Sequence, residues 1–111
     1  SVESDVLIRF QSVLHNHFEK DKEKLITAAD IASELSISTH YLSDMLRSLT
    51  GLNTQQHIHI YLIERAKNLL LSTNLSVNEI AFSLGFEYPQ YFSRLFKSKT
   101  GQTPVEFRNM N

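Results

Sequence analysis

The sequence predicts an all-α fold of about seven helices, forming two helix-turn-helix subdomains joined by a long linker helix. Three observations carry that reading. Apolar residues recur at three- and four-residue steps, no stretch sustains period-two alternation, and Ser, Thr, Gly and Pro stand where helices start and stop. The 111 residues are 41% hydrophobic, 10% aromatic and 21% charged, which suffices for one ordinary core or two very small ones.

Val6, Leu7, Phe10, Val13, Leu14 and Phe18 mark one face of a first amphipathic helix over Val2 to Lys22, and the run Glu19 to Lys24 is its charged, solvated end. Thr27, with Asp30 three residues on, resembles a capping box and opens a short helix, Ala28 to Leu35. After the tight connection Ser36-Ile37-Ser38, a third helix turns Tyr41, Leu42, Met45, Leu46 and Leu49 inward and stops at Gly51. The longest periodic set follows, with Ile58, Tyr61, Leu62, Arg65, Ala66, Leu69 and Leu70 on one stripe. That helix has roughly seventeen residues and is about 25 Å long, ending at Ser72-Thr73-Asn74. Ser76 and Glu79 form a second capping box, followed by Ile80, Ala81 and Leu84 and closed by Gly85. Pro89 suits the first turn of the next helix, where Phe92, Leu95 and Phe96 face the core, and Gly101 ends it. Thr103-Pro104 caps a last short helix through Phe107. The chain thus divides into an N-terminal amphipathic helix (1–24), a first helix-turn-helix (25–52), a linker helix (53–72) and a second helix-turn-helix with a short terminal helix (73–111).

Composition removes several functional classes. Without cysteine there is no disulfide framework, thiol nucleophile or zinc-thiolate site, and three glycines leave no Gly-rich phosphate loop. The pairs His15/His17 and His57/His59 point to opposite sides of a helix, so no metal site is expected. No activated nucleophile or paired carboxylate in a plausible cleft is apparent, so neither enzymatic activity nor a cofactor is expected. No apolar run approaches the roughly 20 residues that span a bilayer, and acids stand where a signal peptide carries bases; a soluble, cytoplasmic protein is expected. The net charge of −1 argues against nucleic acid only as an average. Residues 1–50 carry eight acids and five bases, the remainder four acids and six bases. Arg94, Lys97, Lys99 and Arg108 form a basic group around the second motif.

An internal repeat organises the helices. Ile31, Ala32 and Leu35 return 49 positions later as Ile80, Ala81 and Leu84; beyond the turn the offset is 50, and Tyr41, Ser43, Ser48, Thr50 and Gly51 return as Tyr91, Ser93, Ser98, Thr100 and Gly101. One extra residue in the second turn accounts for the change. The repeated unit is a short helix, a tight turn and a longer helix, the arrangement whose second helix can enter a DNA major groove about 12 Å wide. The linker helix could hold two reading helices about 34 Å apart, one DNA turn. Tandem helical hairpins that only pack on one another are the bland alternative.

The segment Glu79-Ile80-Ala81-Phe82-Ser83-Leu84-Gly85-Phe86-Glu87-Tyr88-Pro89-Gln90-Tyr91-Phe92-Ser93-Arg94-Leu95-Phe96-Lys97, continued by Gly101-Gln102-Thr103-Pro104 and Phe107-Arg108, resembles the long signature of the AraC/XylS family of bacterial transcription regulators. With the first repeat and Ala66-Lys67-Asn68-Leu69-Leu70-Leu71, the likeness runs from about Leu25 to Arg108. It implies sequence-specific binding of double-stranded promoter or operator DNA, commonly by an activator that contacts RNA polymerase. It also implies a separate sensing or dimerisation domain attached to this one. By position it implies base contacts from His40, Ser43 and Asp44 of the first reading helix and from Pro89, Gln90 and Arg94 of the second.

Chemistry favours some of these over others. Arg94 can bridge guanine O6 and N7, Gln90 can pair with adenine N6 and N7, and Pro89 has no donor. The competing roles are a surface salt bridge for Arg94 and simple solvation or capping for His40. Thr39, Arg47, Ser93 and Lys97 suit phosphate contacts, which position without specifying. Asp44, the repeat counterpart of Arg94, departs from the family pattern: it can accept from cytosine N4 but is repelled by phosphates, so a weaker first motif is expected. Leu62 also departs from it, standing where the family commonly has Arg. Tyr61, Phe82, Phe86, Tyr91, Phe92 and Phe96 read as packed core at helical spacing rather than as a base-stacking set. The alternative function is a helical protein-interaction module that has lost specific DNA binding, which Asp44 and the acidic first helix favour.

Overall fold

The computed structural model describes residues 1–19 and 24–111, and among the described residues the chain forms seven α-helices and no strand. They are α1 (Val2–Glu19), α2 (Ala28–Glu34), α3 (Thr39–Thr50), α4 (Thr54–Ser72), α5 (Val77–Ser83), α6 (Pro89–Thr100) and α7 (Pro104–Met110). The expected extension of the first helix past Glu19 and most of its charged run lie outside the described residues.

The helices cluster into two compact units. In the first, α1 packs against α2 and α3, with α4 contributing as far as Tyr61. Its core is Val6, Phe10, Leu14, Ile26, Ile31, Ala32, Leu35, Leu42, Met45, Leu46 and Ile58. Phe18 stacks on Tyr61 at 5.1 Å, and Phe10 meets the His57 ring edge-on at 5.6 Å. In the second unit, α4 from Leu62 onward joins α5, α6, α7 and the segment Lys24–Leu25. An aromatic series, Phe86 to Phe92 to Phe96 to Phe107, runs through it with ring separations of 5.4, 5.9 and 5.5 Å. Leu62, in the place the family commonly gives to Arg, is buried here beside Ile63, Ala66 and Leu70.

The start of each helix is satisfied locally. Thr27 with Asp30, Ser76 with Glu79, and Thr103 with Glu106 form reciprocal capping boxes at α2, α5 and α7, and Asn53 with Gln56 makes the same pair of bonds before α4. Each box meets donors that the first helical turn leaves without an intrahelical partner. The Ser38 hydroxyl caps α3; α6 has no side-chain cap at Tyr88 and begins instead on Pro89, which has no N–H to satisfy.

The repeat extends to single hydrogen bonds. Ile37 N–H donates to Ala32 and Phe86 N–H to Ala81, both at 3.0 Å; Gly51 N–H donates to Arg47 and Gly101 N–H to Lys97, both at 2.8 Å. Thr50 and Thr100 each donate their hydroxyl at 2.8 Å to the carbonyl four residues back, and each accepts at 3.2 Å from the N–H two residues on. In the turns, Ser36 and Gly85 stand at equivalent positions, and both have positive φ. Gly85 is required twice over: its φ is +100°, and a Cβ would lie 2.6 Å from backbone atoms of Lys24 and Leu25.

Three expectations are corrected. Tyr41, expected inward, is 43% exposed, and Phe82 and Tyr91 of the expected aromatic core are each 54% exposed. Arg108 is not part of a surface group of bases. Its guanidinium donates to the carbonyls of Leu70, Thr73 and Leu75 at 2.9, 3.3 and 2.7 Å, satisfying the end of α4 and the following loop from a partly buried position.

Candidate nucleic-acid interface

Five positions of α3 and five of α6 carry the expected contacts, and the repeat pairs them: Thr39 with Pro89, His40 with Gln90, Ser43 with Ser93, Asp44 with Arg94, and Arg47 with Lys97. On both helices the second, fourth and fifth of these positions follow one another at four and three residues, so they share a face opposite the buried residues. His40, Asp44 and Arg47 are exposed on α3, as are Gln90, Arg94 and Lys97 on α6, while Ser43, Ser93 and Pro89 are half-buried and Thr39 is exposed.

The faces are built alike and charged differently. On α3, Asp44 lies 3.1 Å from His40 Nε2 and 3.6 Å from Arg47 Nη1, so the carboxylate sits between two nitrogen groups of its own helix. This removes part of the objection to an acid facing phosphate, because Arg47 offsets its charge locally. It also engages three of the expected contact residues with one another. On α6 the equivalent Arg94 makes no hydrogen bond or ion pair among the described residues, leaving all five of its N–H donors unclaimed. Its guanidinium carbon lies 5.0 Å from the centre of the Tyr91 ring, and Tyr91 meets Tyr88 edge-on at 5.4 Å. Lys97 is exposed near the end of the helix, close enough to Glu106 to favour that carboxylate's charged form.

Sequence reasoning assigned Tyr91 to the core. The signal against that was available: Phe92 and Phe96 set the buried direction of α6, and Tyr91, one residue before Phe92, points well away from it. The same offset separates Tyr41 from the buried Leu42 on α3. Among the described residues no group of three His, Asp or Glu side chains comes together as metal ligands do, and no helix is long and apolar enough to cross a membrane.

Comparison with known proteins gives this arrangement a family. A profile described as a helix-turn-helix domain matches residues 31–110. The xylose operon regulatory protein of Escherichia coli (strain K12) is 31% identical over 111 residues, covering 100% of this chain and 27% of that protein. The C-terminal domain of AraT, a response regulator from Geobacillus stearothermophilus, superposes with a TM-score of 0.87 at 31% identity, covering 100% of this chain and 89% of that one. The DNA-binding domain of AdpA, a global transcriptional factor solved with a target DNA, has a TM-score of 0.78 over 91% of this chain and 90% of that one; at 24% identity it shows the shared fold. The chain spans roughly a quarter to a half of the length of the curated relatives it matches. Two repeated helical units, the capping pattern they share, and these likenesses together show that the chain belongs to the AraC/XylS family of helix-turn-helix DNA-binding domains.

Proposed function

We propose that this domain is a tandem reader of double-stranded DNA within a larger transcription regulator, with α3 and α6 entering two adjacent major-groove segments about one helical turn apart. It acts by binding rather than by catalysis. Arg94 and Gln90 on α6 supply the principal base contacts, Pro89 shapes the start of that helix beside the bases, and His40, Ser43 and Asp44 on α3 adjust the choice. Thr39, Arg47, Ser93 and Lys97 contact phosphates and set the register. Contact with RNA polymerase and a separate sensing or dimerisation domain belong to the same proposal for the whole regulator.

Two observations carry this reading: the two candidate faces are repeat-equivalent position by position, and α6 presents an arginine with no hydrogen-bond or ion-pair partner among the described residues. A helical protein-interaction module is the weaker alternative, because of the two features that favour it, Asp44 and the acidic first helix, Asp44 is paired with Arg47 and His40.

Selection of bound sequences from randomised duplex DNA tests the proposal. Arg94→Ala should flatten the preference at one base position and cost about 1 to 3 kcal/mol for the preferred sequence, whereas Lys97→Ala should weaken all sequences alike and lower the salt slope by about 1. No enriched sequence, together with a nuclease-resistant protein partner and a silent Arg94→Ala, would count against it.

A further inference from the structure

We infer that Tyr91 is a positioning residue for base readout: its ring holds the Arg94 guanidinium ready for guanine, and Tyr88 braces that ring. The inference rests on the reading of α6 as a DNA-contacting helix and adds to it a residue that makes specificity without itself touching a base.

The geometry is local. Tyr91 and Arg94 are three residues apart on α6 and therefore neighbours on its surface, and the guanidinium carbon lies 5.0 Å from the ring centre, within the range where the negative face of an aromatic ring attracts a cation. Tyr88, immediately before the helix, meets Tyr91 edge-on at 5.4 Å, an arrangement aromatic pairs prefer. Both tyrosines are about half exposed, at 48% and 54%. The attraction between ring and cation uses no hydrogen bond, so the guanidinium keeps its N–H donors for the bidentate contact that distinguishes guanine. A free arginine loses much rotamer freedom on making such a contact; one already held beside a ring loses less.

The repeat supplies an internal contrast. Tyr41 stands where Tyr91 does, but the residue three positions on is Asp44, which a negative ring face cannot attract and which pairs with His40 and Arg47 instead. Of the two reading helices, α6 is therefore the one that carries the aromatic-arginine pair, and the sharper base preference should come from the second unit.

Three variants of Tyr91, measured by sequence selection and by binding to the preferred and a scrambled duplex, decide the matter. Tyr91→Phe keeps the ring and should retain the guanine preference within about twofold. Tyr91→Ala and Tyr91→Leu should lose about three- to tenfold in affinity for the preferred duplex, flatten the base position that Arg94→Ala flattens, and leave scrambled-duplex binding and melting temperature unchanged. If Arg94→Ala flattens a position while Tyr91→Ala and Tyr91→Leu leave it sharp, the inference fails and the reading of α6 stands. If Tyr91→Phe is as damaging as Tyr91→Leu, the hydroxyl rather than the ring is at work and the inference likewise fails. A silent Arg94→Ala overturns both.

Discussion

At the scale of single residues, Thr54 shows how the repeat exposes a flaw. It is the first residue of α4, only 3% exposed, and its hydroxyl has no hydrogen-bond partner among the described residues. Fifty positions on, the equivalent residue at the start of α7 is Pro104, also buried, preceded by Thr103 in an extended conformation. The first helical position needs no N–H, and proline restricts the unfolded chain. Thr54→Pro is therefore expected to stabilise the domain by about 0.4 to 1 kcal/mol, read as a rise in melting temperature; a fall would mean that the two starts are not equivalent. Residue identity alone served well where partners are close in sequence. Thr27 with Asp30 and Ser76 with Glu79 are legible as capping boxes because both partners lie in one turn. The role of Arg108 is not legible in the sequence, because the carbonyls it holds lie 33 to 38 residues away, a distance no local rule spans. The exposure of Tyr41, Phe82 and Tyr91 is not legible from hydropathy, which counts an aromatic ring as apolar whether it faces the core or not.

At the scale of elements, the helix starts and the α3–α4 junction give the two units different responses to acid. His57 on α4 lies 2.7 Å from the Thr50 hydroxyl at the end of α3 and packs on Phe10, and burial lowers its pKa below the ordinary 6.5. The folded state thus binds this proton less tightly than the unfolded chain. Stability from neutral His57 is present above pH 6.5 and is lost as pH falls through the lowered value. In the second unit, bonds from Ser76, its backbone N–H first, lower the pKa of Glu79, and bonds from Thr103 do the same for Glu106. Their contribution is present above the ordinary 4.5 and lost below it as each carboxylate takes up a proton. Amide exchange followed from pH 7.5 downward should show α3 and α4 of the first unit losing protection in mild acid, before α5 and α7. His57→Gln should reduce the first loss and Glu79→Gln the second; simultaneous loss unaffected by either variant would contradict this. The helices themselves were legible from apolar spacing and from their caps and stops. The pairing of His40, Asp44 and Arg47 follows from the same spacing rules, since side chains three and four apart on a helix meet.

For the whole molecule, a net charge of −1 is the sum of unlike faces. Arg108 is withdrawn into the second unit by three carbonyls, which leaves Arg94, Lys97 and Lys99 as the exposed bases of α6. Non-specific attraction to DNA should accordingly be modest, with discrimination resting on α6 and the register supported by both units. Hydroxyl-radical footprinting of a selected duplex shows whether two repeat-related helices read two groove segments. Two protected segments should appear about one helical turn apart, both weakening as salt rises, with Arg94→Ala releasing one of them first. A single protected segment, insensitive to salt and unchanged by Arg94→Ala, would contradict the account.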